Sequence, residues 1–157
     1  MSAGMDEGDI LKIGKISVDI VDKTPDIFEK FIEIGPKLLL ESLREIIAGE
    51  LQGTPQDDTK ASYCSKIEKQ DGYVDFSAQS AKEIYDLYRA YTPWPGVFSY
   101  YEGKKFAIED CFFDESMIVF DDDFSPGDVV EFEDHGEQHI GVLCREGILI
   151  LHTIKLE

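Results

Sequence analysis

The chain has 157 residues, with 33 acidic against 15 basic side chains and a formal net charge of −18. That length is enough for a real core, and the acidity disfavours a broad nucleic-acid surface, which needs lysine and arginine to displace phosphate counterions. No apolar run reaches bilayer length, no charged-then-apolar leader is present, and Cys64, Cys111 and Cys144 fit neither a disulfide framework nor a zinc site.

In chain order, Gly4 and Gly8 bracket an acidic loop, Asp6-Glu7-Gly8-Asp9, that leads into an apolar run predicted as a strand over Asp9–Val18. By residue type this is an acidic glycine turn of a common surface kind, in which glycine also lets a ligand approach the backbone. Thr24-Pro25 reads as a helix start, a capping side chain with proline at the first helical position. Ile27, Phe28, Phe31 and Ile32 then share a face. Gly35-Pro36 interrupts the run, and Leu39, Leu40, Leu43, Ile46 and Ile47 resume it until Gly49 stops it. The polar stretch from Gln52 to Lys60, with Gly53, Pro55 and Asp57-Asp58, reads as linker.

Beyond the linker come a turn at Asp71-Gly72, a short alternating segment (Tyr73 to Phe76) and one amphipathic helix carrying Ile84, Tyr85, Leu87, Tyr88 and Tyr91. Pro93-Trp94-Pro95-Gly96 follows. Two prolines around the only tryptophan cannot lie inside a helix or a central strand, so they predict a stiff corner anchored by the large ring. Strands are predicted over Val97–Tyr101, Lys105–Phe113, Asp128–Phe132, Ile140–Cys144 and Ile148–Ile154, separated by turn signals such as Ser125-Pro126-Gly127 and Glu146-Gly147. Short strands at that spacing predict a closed or half-closed barrel. Asp121-Asp122-Asp123 reads as a solvated turn, lacking a calcium-loop ligand set. His135 and His139 fall in a turn-strand region and give no metal motif, His152 reads as a strand residue, and Cys111 and Cys144 read as buried spacers.

The helix that ends in the proline-tryptophan-proline corner resembles the start of the C-terminal domain of the methionyl-tRNA formyltransferases. The Asp6 loop resembles that family's Asp-x-Gly-Asp setting, and Ala61 to Ile67 resembles its linker. The family also has a long helix with Gly-Pro in its middle. The resemblance implies an α+β chain: a residual strand and helix from a formyltransferase α/β domain, then a helix and a small oligonucleotide-binding-like β-barrel. It implies residues 1–52 as the C-terminal remnant of the catalytic domain, 53–71 as linker, and 72–157 as the C-terminal domain.

In the family, an aspartate at the place of Asp6 works with an upstream asparagine and histidine. They transfer formyl from 10-formyltetrahydrofolate to an amine, and the loop backbone lies along the pterin. The resemblance thus implies Asp6 as catalytic, Gly4, Met5 and Gly8 as cofactor-binding, and no metal. The upstream Asn-x-His and Ser-Leu-Leu-Pro segments have no counterpart here. The chain is therefore expected to be the C-terminal half of such an enzyme, cytoplasmic, off the membrane, inactive alone, with a missing N-terminal catalytic half as partner.

Initiator methionyl-tRNA is the implied acceptor, with Arg89, Lys104 and Lys105 as tRNA-binding candidates. Arg89 has a second reading as an ion-pair partner of Asp86 or Glu83. From Trp94 onward only Lys104, Lys105, Arg145 and Lys155 oppose fifteen acidic residues, which weakens tRNA binding. Two alternatives stay open: a sugar-amine formyltransferase fragment, and a stand-alone binding module whose uncovered apolar faces seek a partner.

Overall fold

The computed structural model describes residues 4–115, 124–134 and 136–156. It comprises two compact units, Met1–Lys66 and Ile67–Glu157.

The first unit is organised on one helix, α1 (Thr24–Ala48), which begins one residue earlier than predicted. Lys23 is the N-cap residue, and its N–H is taken by the Asp26 carboxylate at 2.8 Å. Gly49 closes the helix in the left-handed conformation (φ 73°) and donates to the Ile46 carbonyl. Between these ends α1 is continuous through Gly35-Pro36, which interrupts the apolar run in the sequence but not the helix. Proline at position 36 removes one N–H and crowds one carbonyl, a local cost that the neighbouring turns absorb.

The segment predicted as a strand over Asp9–Val18 forms no ladder. Its backbone pairing is the single antiparallel bridge from Ile10 to Thr54, with both N–H···O distances 2.9 Å. A strand needs a neighbour to take its N–H and C=O groups, and the described residues of this unit offer none beyond Thr54. The segment instead runs extended along α1. Gly14 approaches so closely that a Cβ there would lie 3.1 Å from Ile34 Cδ1 and 3.2 Å from Leu38 Cδ2. Lys12 reaches Glu41 (3.2 Å) and Glu45 (2.7 Å), while Lys30 pairs with Asp22 and donates to the Ser17 carbonyl. The half-buried stripe of α1, including Ile27, Ile34 and Leu38, recurs every three or four residues; no residue of α1 is fully buried.

The second unit starts with a 3₁₀ turn at Lys69–Gly72 and the segment carrying buried Val74 and Phe76. Helix α2 (Ala81–Tyr91) opens with a reciprocal capping box. Ser80 Oγ accepts from the Glu83 N–H at 3.1 Å, and the Glu83 carboxylate accepts from the Ser80 N–H at 2.8 Å. Ala81, Ile84, Tyr85 and Tyr88 recur at helical spacing and are buried against the sheet. Five strands follow: β1 (Val97–Tyr101), β2 (Lys104–Asp114), β3 (Val129–Asp134), β4 (Glu137–Leu143) and β5 (Ile148–Leu156). They form one antiparallel sheet in the order β1-β2-β5-β4-β3, with a bulge in β2 around Asp110.

All five predicted strands are present, and the chain is α+β. Among the described residues the sheet is open, without a ladder joining β1 to β3, where the sequence predicts closure or half-closure. Only part of β1's outer edge is taken: the Val74 N–H donates to the Phe98 carbonyl at 2.9 Å, ahead of Tyr100. The interior between the two edges is a cavity of about 450 Å³ lined by Tyr100, Tyr101, Phe106, Val129 and Ile140.

The proline corner is held differently from the prediction. Trp94 is 54% exposed rather than buried as an anchor. The peptide bonds before Pro93 and Pro95 are cis. Gly96 donates to the Tyr91 carbonyl at 2.9 Å, and the Thr92 hydroxyl donates to the Tyr88 carbonyl at 2.7 Å. The turn at Asp71-Gly72 lies directly against the Gly96 carbonyl. Asp121-Asp122-Asp123 and His135 lie outside the described residues.

Candidate functional site

In the first unit the acidic loop turns at Met5-Asp6, with Asp6 at φ 57°, a left-handed backbone that non-glycine residues adopt only when held. Its carboxylate is exposed. The holding group comes from fifty residues away. Gln56 Nε2 donates to the carbonyl of Asp6 at 2.7 Å and to that of Gly8 at 2.6 Å, using both hydrogens of one amide. Beside it the Ile10–Thr54 bridge joins the two segments, and Gly53 sits so close that a Cβ would meet Asp9 Cβ at 2.5 Å.

Loop and linker together frame an open cleft of about 880 Å³. Met5, Asp6, Ile10, Pro55, Gln56 and Tyr63 are among its walls, and Tyr63 is almost wholly exposed. Asp57 is committed to its own turn. The Thr59 hydroxyl and N–H bind its carboxylate at 2.6 and 3.1 Å, Lys60 sits at 3.1 Å, and these donors hold its carboxyl below the usual aspartate range. Asp6 is thus a carboxylate open to a ligand on a backbone that is itself clamped. Such a group can accept hydrogen bonds and pass protons to water. The cleft is open and mixed in character, with Met5, Ile10, Pro55 and Tyr63 beside Asp6, Glu7, Asp58 and Lys60.

The predicted tRNA-binding residues lie in the second unit and do not make one patch. The Arg89 guanidinium bonds Asp86 at 2.5 Å and lies 5.4 Å from the Tyr85 ring centroid, in keeping with the ion-pair reading. Lys104 and Lys105, as neighbours on β2, point to opposite faces. Lys104 borders the cavity at the mouth of the sheet. Lys105 covers the Phe98 ring at 4.4 Å and shares a separate hollow with Lys155 beside Pro93 and Pro95. Arg145, a further cation of this acidic unit, ties the β4–β5 turn to the segment before α2. Its backbone N–H donates to the Phe76 and Gln79 carbonyls, and its side chain to the Ala78 carbonyl (2.5 Å) and Glu83 (3.0 Å).

Among the described residues no group of three or more His, Cys, Asp or Glu is placed to hold a metal ion, and no helix is long and apolar enough to cross a membrane. His139 and His152 face each other across β4 and β5 with ring centroids 6.4 Å apart. Sequence reasoning missed Gln56 and Lys155 as site-lining residues. A glutamine in a polar linker carries no local pattern, and a strand lysine shows its neighbours only once register is known.

Residues 66–157 match the family described as "Formyl transferase, C-terminal domain". The methionyl-tRNA formyltransferase of Natranaerobius thermophilus is 32% identical over 151 residues, which cover 96% of this chain and 47% of that protein. That of Sulfurimonas denitrificans is 42% identical over 100 residues, 62% of this chain and 31% of the relative. The chain spans about half the length of the relatives it matches over nearly its whole extent. Among solved structures, the N-formyltransferase from Helicobacter canadensis in complex with folinic acid and dTDP-3-aminofucose superposes with a TM-score of 0.70. Its identity is 18%, and the overlap covers 99% of this chain and 53% of that one. HypX from Aquifex aeolicus in complex with tetrahydrofolic acid superposes at 0.64, with 20% identity over 99% of this chain and 26% of its own. Identities that low establish likeness of fold.

Proposed function

The chain belongs to the formyl transferase C-terminal domain family, and from that premise we propose that it is the C-terminal portion of a methionyl-tRNA formyltransferase acting in translation initiation. The observation that carries this reading is the continuity of the match. Nearly the whole chain, including the Asp6 loop that lies outside residues 66–157, aligns with methionyl-tRNA formyltransferases. On this reading residues 1–52 end the catalytic domain, 53–71 are linker and 72–157 are the C-terminal domain, an open relative of the oligonucleotide-binding barrel. The setting is cytoplasmic.

The co-substrate is 10-formyltetrahydrofolate, which supplies the formyl group. Gly4, Met5 and Gly8 offer it a backbone edge along the open cleft. Asp6 orients the reacting groups and accepts protons through water as the amine loses them. The asparagine and histidine implied by the resemblance come from the half of the relatives that lies beyond the match, so residues 1–157 alone are expected to show no turnover. Arg89, Lys104 and Lys105 contribute little to tRNA affinity, because one is ion-paired and the other two are split between faces of an acidic sheet. That acidity favours a second reading, a sugar-amine formyltransferase, whose acceptor needs no extended basic surface.

The test joins residues 1–157 to the remaining half of the Natranaerobius relative and compares formyl transfer to charged initiator tRNA and to a nucleotide amino-sugar. Transfer to the tRNA, with Asp6→Asn slowing kcat about 10²-fold or more, is the expected result. Transfer to the amino-sugar alone moves the assignment to the second reading, and unimpaired Asp6→Asn removes Asp6 from the reaction.

A further inference from the structure

We propose that Gln56 is a positioning residue for the Asp6 carboxylate, so that the start of the linker sets the geometry of the transfer site; this rests on the formyltransferase reading above. A left-handed aspartate is held against a steric preference for extended or right-handed backbone. The loop residues 4–8 have no ladder of their own. The Gln56 amide corrects this by satisfying the Asp6 and Gly8 carbonyls at once, at 2.7 and 2.6 Å. Fixing these two carbonyls fixes the peptide plane that follows Asp6 and the one that follows Gly8. The direction in which the Asp6 Cβ leaves the backbone is then set with them.

Gln56 itself is kept in place by what lies next to it. Pro55 restricts its predecessor Thr54 to extended backbone, and Thr54 is the residue bridged to Ile10. Gly53 allows the linker to pass within contact of Asp9. Three of four successive linker residues (Gly53, Thr54 and Gln56) thus grip the loop from one side, leaving the carboxylate open on the other. Asparagine is one carbon too short to reach both carbonyls, and glutamate at neutral pH has no hydrogen to give either.

Two measurements test this. In the isolated chain, Gln56→Ala should speed hydrogen exchange at the Ile10 and Thr54 amides about tenfold, the scale of losing one net hydrogen bond; unchanged exchange overturns the clamp. In the joined enzyme, Gln56→Ala should lower kcat about 10- to 100-fold, the scale of a small misplacement at a reacting centre, with KM for the amine acceptor unchanged. Gln56→Glu separates positioning from mere folding. Its carboxylate repels both carbonyls when ionised and donates to one when protonated, so its kcat relative to the unmodified enzyme should climb as pH falls. A pH-independent ratio, or a Gln56→Ala enzyme with full kcat while Asp6→Asn is impaired, overturns the inference and leaves the formyltransferase reading intact. Full activity of Asp6→Asn overturns the role of Asp6 on which the inference rests.

Discussion

Gly72 has no room for a side chain: a Cβ there would lie 2.1 Å from the carbonyl oxygen of Gly96. Backbone meets backbone at that point, so nothing flexible can move aside. Gly72→Ala is therefore expected to destabilise the second unit by about 2–4 kcal/mol, in the range of severe steric substitutions, measured by urea unfolding. A change under about 0.5 kcal/mol, the size of an ordinary surface substitution, would mean the corner is not packed as described. Cys144 makes a second residue-scale case. It is buried, and that burial pushes its thiol from 9.0 up to about 12. In the unfolded chain the thiol ionises near its ordinary value, so the folded state holds a proton that the unfolded state has lost. Stability is thus fully present below pH 9 and falls as pH rises from about 9 to 12, at up to ~1.4 kcal/mol per pH unit. Cys144→Ala should flatten that part of the stability–pH curve whatever it does to stability at pH 7. An unchanged slope would show that the thiol titrates normally. Tyr88 works in the same direction at still higher pH, its hydroxyl held by burial and by bonds to the Glu109 carbonyl and Asp110.

At the scale of elements, the strands were legible because their ends are marked by turn residues whose backbone needs are local. Gly103 and Gly147 each take positive φ between antiparallel neighbours, and Gly136 does so in the β3–β4 turn. Helix α2 was legible from its stripe of Ile84, Tyr85, Leu87, Tyr88 and Tyr91 at helical spacing, and Ser80 and Glu83 cap it in the structure. Where prediction and structure part, a distant partner decides. Gly35-Pro36 interrupts only the apolar run; α1 passes through it, with Ile34 and Leu38 on either side both close to Gly14. Asp9–Val18 has strand composition but no strand to pair with among the described residues, so it stays extended, with Lys12 paired to Glu45 of α1 and Lys30 of α1 donating to the Ser17 carbonyl. Trp94 reads as an anchor because large rings usually are, but the close approach of Gly72 to Gly96 already closes the corner and leaves the ring outside. The candidate site divides similarly. Its loop was legible from glycine and aspartate, and its clamp was not, because Gln56 acts across fifty residues.

At the scale of the whole molecule, the outer side of α1 poses a question of surface. Phe28, Phe31, Ile32, Leu39, Leu43 and Ile46 follow helical spacing on the side away from the extended segment. Ile32 is 71% exposed and the flanking Ile47 is 85% exposed. A row of large apolar side chains that long exceeds what soluble monomers ordinarily leave in water. The relatives carry about as much chain again beyond the matched region, and an α/β catalytic domain covers such a helix with a sheet. On the reading proposed above, such a sheet is what covers this face. In its absence the hydrophobic driving force remains, so residues 1–157 alone are expected to associate as concentration rises, in spite of a net charge that disfavours contact. Added salt should strengthen the association by screening that repulsion. Sedimentation velocity across a concentration series checks this, with Phe31→Asp plus Leu39→Asp expected to restore a monomer while leaving the second unit's unfolding midpoint unchanged. A chain that stays monomeric at high concentration and high salt would show that α1 covers its own apolar face in solution, and the case for a missing half packed against it would lose its physical basis.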